Sequence, residues 1–224
     1  MRIKRLVAFG CSHTYGEGLP DCIPPVEFNK MTPPSKFAWP EILANKLSVE
    51  CWNKSKCGIS NKNISEIVLD TPLQKDDIVV ILWTSILRTC FFTSNDPINV
   101  IPSYASKEFV KEHKSRDHLV AHKFNLKYYR EFYFQENLEH ESFQVIDHAK
   151  RYLDDKGIKN YHFNFQRKGG HDPIDSLLPK TKPYWFEVPY TTVYLTHDYG
   201  ADNHHPGVKA QKNMAVQIYK SIMS

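Results

Sequence analysis

The sequence is poor in several things at once. Nine glycines stand against 14 prolines in 224 residues, which excludes a collagen-like repeat or a Gly-rich linker. No internal repeat and no low-complexity tract is present. The 5 cysteines (Cys11, Cys22, Cys51, Cys57, Cys90) form no Cys-x-x-Cys pair, and an odd number cannot close a complete disulfide set. Reduced thiols in a cytosol fit this usage. Charge of one sign is also missing: 29 basic and 25 acidic residues leave +4, spread through the chain. A nucleic-acid binder usually concentrates its basic residues, so no nucleic-acid partner is expected. Long apolar runs are absent as well. The most apolar interior run, Ile78 to Trp83, falls far short of a membrane span. The basic start Met1–Arg5 leads into an apolar run that stops at Gly10, too short for a signal-peptide core. The expectation is a soluble, cytoplasmic protein without membrane contact. Neither His-Glu-x-x-His nor a Cys/His ligand pattern occurs, so no metal is expected.

What is present suits a packed domain. Hydrophobic residues make up 41% and charged residues 24%, enough for a substantial core in one domain spanning 1–224. Leu6–Phe9 reads as a buried strand ending at Gly10. A Pro-rich loop covers 21–35. Phe37, Trp39, Ile42, Leu43 and Leu47 recur at helical spacing, with Pro40 tolerable in a first turn. Val49–Trp52 is a second strand, and Ile64, Ile67 and Val68 mark a helix face. Ile78–Trp83 is the clearest buried strand. Phe143, Ile146, Ala149 and Leu153 predict a helix stopped by Gly157. Tyr161–Phe165 predicts a strand, 166–183 a polar loop, and Pro206 opens a last helix striped by Val208, Ala215, Ile218 and Ile222. Strands alternating with helices predict a parallel sheet covered on both faces, with ligands at the carboxyl ends of its strands.

Two polar clusters fall at such places. Gly10-Cys11-Ser12-His13-Thr14-Tyr15-Gly16-Glu17-Gly18 follows the first strand. A serine there would stand at the strand's carboxyl end, with its N–H available to a developing oxyanion. Asp202-Asn203-His204-His205-Pro206-Gly207 precedes the last helix. A serine hydroxyl needs a base, and a histidine oriented by a carboxylate supplies one. Asp202 and His205 are close enough on a tight connection for the carboxylate to reach Nδ1. Taken singly, the first segment also fits a Gly-rich turn with a capping serine, and the second a polar helix start in which His204 competes with His205.

As a pair, the clusters resemble the SGNH (GDSL-type) hydrolase superfamily, and more closely its Gly-Cys-Ser-x-Thr-x-Gly variants among bacteriophage and bacterial members. The resemblance implies a three-layer, flavodoxin-like α/β fold and serine-based ester hydrolysis without a cofactor. Ser12 would be the nucleophile, His205 the base and Asp202 its partner. The family's second block, Asn then Gly, is matched by Asn53 and Gly58, with the Gly58 N–H as an oxyanion donor beside that of Ser12. The third block departs from the family. Ser85 in Trp83-Thr84-Ser85-Ile86 stands where an oxyanion-hole Asn is expected, and Asn61 or Asn63 is a substitute from another loop. Losing one such donor typically costs about 10²–10³ in rate. Weak catalysis, a rearranged oxyanion hole and an inactive relative all stay open. In the first block, Cys11 replaces the family's usual Asp.

Other residues carry competing readings. Cys11 is a candidate nucleophile or a structural cysteine. His197, Asp198, Asp202, His204 and His205 are a possible metal set or a polar loop. Arg88, after the third strand, suits an anionic group of a substrate, or a surface carboxylate. The aromatic, partly helical insertion at about 95–138, with His113, His118 and His122, reads as a lid or partner surface, or as a helical pair packing its aromatics on the sheet. The functional expectation is a serine esterase acting on a small-molecule or glycan ester, such as a carbohydrate O-acetyl group. The alternative is a non-catalytic binding or virion-associated module with a remnant pocket. If the chain is viral, its place is the host cytoplasm. Oligomeric state is not encoded legibly.

Overall fold

The computed structural model describes residues 3–22, 32–94, 97–107, 111, 116–166, 185–189 and 198–223, with the backbone alone at 116, 117, 165, 166 and 185–189. Most of the 166–183 loop, together with His113 and His197, lies outside the described residues.

Five strands form one sheet: β1 (Arg5–Gly10), β2 (Glu50–Asn53), β3 (Asp77–Leu82), β6 (Lys159–Gln166) and β7 (Trp185–Pro189). Their order is β2-β1-β3-β6-β7 and every pairing is parallel. This is the flavodoxin-like 2-1-3-4-5 order of a doubly wound sheet. β1 and β3 read as unbroken apolar runs because the central strands of such a sheet are buried on both faces. Period-two alternation divides their side chains between two cores. Leu6, Ala8, Ile78, Val80 and Leu82 face helices α2 (Trp39–Leu47) and α6 (Val208–Met223), against Trp39, Leu43, Met214 and Ile218. Val7, Phe9, Val79 and Ile81 face helices α3 (Asn61–Asp70) and α5 (Gln135–Asp155), against Ile64, Val68, Ile146 and Leu153. The expected three layers are therefore present.

Two polar devices register the sheet. The Arg5 guanidinium grips Asp77 with two hydrogen bonds, at 2.9 and 2.7 Å, and lies 3.4 Å from the Trp52 ring centroid. The pair ties β1 to β3 where Arg5 and Asp77 are register partners. His162 of β6 is wholly buried and stacks on Trp83. Its Nδ1 accepts the Trp83 indole N–H at 3.1 Å, and its Nε2 donates to Asn160 Oδ1 at 3.0 Å. Burial holds its pKa down at about 3, so it is a neutral core histidine.

The segment between β3 and α5 differs from expectation. It contains an antiparallel hairpin, β4 (Thr89–Phe91) with β5 (Ile98–Val100), then a 3₁₀ turn (Pro102–Ala105) and helix α4 (Arg116–Glu131). α4 packs chiefly on the 3₁₀ turn, not on the sheet. The aromatics consequently meet one another: Phe91 meets Phe124 and Tyr128 edge-on at 6.0 Å, and Tyr129 meets Tyr128 and Tyr133 at 5.3 and 5.6 Å. The sheet face they were expected to cover is already occupied by α3 and α5. Among the described residues no helix is long and apolar enough to cross a membrane.

Candidate active site

Gly10 ends β1, and the chain turns at once into a four-residue helix, α1 (Ser12–Tyr15). The turn is tight because Thr14 folds back over Gly10. A Cβ on Gly10 would lie 2.1 Å from Thr14 Oγ1 and 2.9 Å from the Leu82 carbonyl. Side chains from elsewhere pin the turn. Asn53 Nδ2 donates to the Thr14 carbonyl at 2.8 Å, and Gln211 Nε2 to the His13 carbonyl at 3.0 Å. Gln211 Oε1 also accepts the Trp39 N–H at 2.9 Å, so one buried amide joins α6, α2 and α1. Ser12 is thereby fixed, 4% exposed, at the carboxyl end of the sheet.

The connection into α6 approaches from the other end of the chain. Gly200 N–H donates to the His205 carbonyl at 2.8 Å, and Asn203 N–H to the Gly200 carbonyl at 3.0 Å. Asn203 takes φ +57, a left-handed conformation that asparagine tolerates. Asp202 Oδ1 accepts the N–H groups of His204 and His205, at 2.9 and 3.0 Å. Its Oδ2 lies 2.6 Å from His205 Nδ1, and His205 Nε2 lies 2.9 Å from Ser12 Oγ. Burial alone would raise the Asp202 pKa. The hydrogen bonds from the His205 ring and from the His205 and His204 backbone outweigh it and hold the carboxyl well below the usual carboxylate range. A carboxylate that accepts only places the imidazole proton on Nδ1 and leaves Nε2 to accept from the serine. Between the two histidines, His205 reaches Ser12, whereas His204 is exposed.

Gly18 makes room for this carboxylate. Its φ is +83, and a Cβ there would meet the Asp202 carboxylate atoms at 2.7 to 2.9 Å. The Ala201 N–H donates to the Gly18 carbonyl at 2.8 Å, locking the two chain ends together.

Three neighbours received no role from the sequence. Glu17 Oε2 lies 3.5 Å from His205 Nε2, a second carboxylate on the serine side of the ring. The half-buried His13 packs edge-on against His205 with 5.5 Å between centroids. Burial, then the charges of His205 and Arg88, lower its pKa to about 3 and keep it neutral. The Tyr104 hydroxyl lies 3.4 Å from where a Cβ on Gly58 would sit. Glu17 stands inside the quoted N-terminal cluster, but its approach to His205 depends on the left-handed Gly16 and Gly18, at φ +86 and +83.

The remaining sequence candidates separate. Gly58, at φ +68, lies on the loop after β2, which is tied to β1 by Lys56 N–H donating to the Gly10 carbonyl at 3.3 Å. Asn61 is engaged elsewhere than expected. Its Oδ1 accepts the Thr84 N–H at 2.8 Å and its Nδ2 donates to the Thr84 carbonyl at 3.1 Å, so it holds the loop after β3. Asn63 is buried in α3, its N–H on the Ser60 cap. Ser85 Oγ accepts the Leu87 N–H at 3.3 Å. Arg88, three residues on, is half-buried. Cys11 packs among Val7, Phe9 and Ile59 in the α3–α5 core. Burial and then Glu17 push the Cys57 thiol well up, away from the thiolate. Asp198 caps α6, accepting the Ala210 N–H at 2.9 Å. Among the described residues no group of three or more His, Cys, Asp or Glu side chains is placed to hold a metal ion.

No protein-family model and no curated protein matches the chain. Solved structures do match in fold. A carbohydrate esterase, whose active site is described as displaying divergent catalytic and non-catalytic binding functions, superposes with TM-score 0.56 at 12% identity. That match covers 100% of this chain and 65% of the esterase. An acetyl xylan esterase (Est2A) from the rumen bacterium Butyrivibrio proteoclasticus gives 0.60 at 14%, over 99% of this chain and 64% of the other. A protein from Desulfitobacterium hafniense DCB-2 assigned to the lipolytic G-D-S-L family gives 0.54 at 14%, over 97% and 98%. The chain thus spans about two thirds of the two esterases and nearly all of the third protein. At these identities the likeness is one of fold, and in fold the chain resembles the SGNH (GDSL-type) hydrolases.

Proposed function

We propose that the chain is a serine-dependent ester hydrolase. The observation that carries this reading is the His205 ring bridging Ser12 Oγ at 2.9 Å and Asp202 Oδ2 at 2.6 Å. In the proposed cycle, Ser12 Oγ attacks the ester carbonyl as His205 Nε2 takes its proton. Asp202 holds the Nδ1 proton and stabilises the imidazolium. The N–H groups of Ser12 and Gly58 receive the oxyanion, with the Ser85 hydroxyl as third donor. Asn61 contributes indirectly, by holding the loop that carries Ser85. The imidazolium returns its proton to the departing alkoxide. Water activated by His205 then attacks the acyl-serine, releasing the acid and restoring Ser12. No step calls on a cofactor. Two fold neighbours are carbohydrate esterases, which supports a glycan ester as the first substrate class to try.

A second reading is favoured by Ser85, whose hydroxyl accepts from Leu87 within its own loop where the family pattern has an Asn. It is a binding module with a remnant site. Fluorophosphonate labelling of purified protein separates the two. An adduct on Ser12, absent in Ser12→Ala and at least tenfold slower in His205→Ala, supports the hydrolase. Folded protein that takes no label between pH 6 and 9 supports the binding module.

A further inference from the structure

We propose that Arg88 anchors an anionic group of the substrate, so that the site takes esters whose own molecule bears a carboxylate, sulfate or phosphate. This rests on the hydrolase reading and adds a substrate class to it.

The starting point is an arginine with no counter-ion among the described residues. Arg88 follows β3 on the loop that carries Ser85, in a turn closed by its own N–H on the Ser85 carbonyl at 3.1 Å. Tyr129 fastens the turn from α4, its hydroxyl donating to the Leu87 carbonyl at 2.6 Å. Arg88 is half-buried, and its Nη1 is shielded from solvent with no hydrogen-bond partner among the described residues. Among the described residues no carboxylate lies within ion-pair distance of it. Arg5 shows what this fold does when an inward arginine is structural: Asp77 takes it with two hydrogen bonds. A partly desolvated guanidinium with an unmet N–H is costly, and an anion with paired oxygens removes that cost.

The charge sits in the same turn as Ser85 and bears on neighbours of the proposed site. Arg88 bears electrostatically on His13, which touches His205, and on Tyr104, whose hydroxyl adjoins Gly58. Glu17 also bears on Tyr104, and it lies 3.5 Å from His205. An anionic group is thus attracted by Arg88 and repelled by Glu17.

The anion could belong to the acyl part or to the alcohol part, and matched esters distinguish them. For the alcohol side, 4-acetoxybenzoate is compared with 4-acetoxybenzamide. For the acyl side, 4-nitrophenyl hydrogen adipate is compared with its methyl ester. The expected result is a kcat/KM preference of about tenfold or more for the anion in one pair. That preference should shrink with added salt, collapse in Arg88→Gln and partly return in Arg88→Lys, with circular dichroism checking that each variant is folded. Ratios near one in both pairs, or a preference that Arg88→Gln leaves intact, overturn the proposal. Calorimetry on Ser12→Ala with 4-hydroxybenzoate and adipate, against their amides, removes catalysis from the question. Arg88-dependent carboxylate binding without any ester turnover would leave Arg88 standing and remove the hydrolase. Turnover indifferent to Arg88 would do the reverse.

Discussion

At the scale of single residues, the site is set by atoms that are absent as much as by those present. Gly18 has no Cβ, and the Asp202 carboxylate occupies the space one would take. Gly18→Ala should therefore displace Asp202 and strain a backbone at φ +83. Misplacing a catalytic group by about 1 Å can cost on the order of 10² in rate, so kcat should fall by about that factor while the protein still folds. Asp202→Asn changes charge without changing shape. It should favour the wrong imidazole tautomer and cost about 10⁴ in kcat, by analogy with serine proteases. Single-turnover kinetics on an activated acetate ester would measure both. If Gly18→Ala matches wild type, Asp202 is not held where its neighbours place it. Ser12, His205 and Asp202 were legible as candidates because the chemistry dictates their types. Glu17 and His13 were not, because their roles arise from a left-handed turn and a ring contact that no spacing rule encodes.

At the scale of elements, the readable ones were those with a dry environment. β1 and β3 read as apolar runs because both faces are covered, and α5 shows its stripe from Phe143 to Leu153 because it packs on the sheet. α4 gave no clean period because much of its apolar surface stays exposed, Val120 at 60% and Leu126 at 41%. β7 joins the sheet beside β6; its five residues lie beyond the 166–183 loop, end at Pro189 and carried no expectation. The hairpin β4–β5 has only three residues on each side, too few for an alternation to show. Asn61 is an element-scale residue in this sense, joining the start of α3 to the loop after β3 through both backbone groups of Thr84. Asn61→Ala strands a buried N–H and a buried carbonyl. The expected loss is about 2–3 kcal/mol, read from urea unfolding, with a drop in kcat as Ser85 loosens. Unchanged stability would mean that the two Thr84 bonds are dispensable.

For the whole molecule, stability should fall on acidification. His162 is wholly buried and His13 half-buried, and desolvation holds both neutral, with pKa lowered from 6.5 to about 3. The native state takes up no proton at either ring until about pH 3, whereas the unfolded chain protonates both below about pH 6.5. Between these limits the unfolded state binds more protons, so stability is highest above pH 6.5 and falls as pH falls. Each ring contributes a slope approaching about 1.4 kcal/mol per pH unit through the window. Asp202, whose pKa is lowered, adds to the same trend only below the ordinary carboxylate range. Replacing His162 by Gln removes one titrating ring from the core. The variant should be weaker at pH 7, because the bonds to Trp83 and Asn160 are disturbed, yet its stability should depend less steeply on pH between 6 and 4. Urea unfolding at half-unit pH steps checks this. Equal stability slopes in wild type and His162→Gln would show that this ring does not govern acid lability.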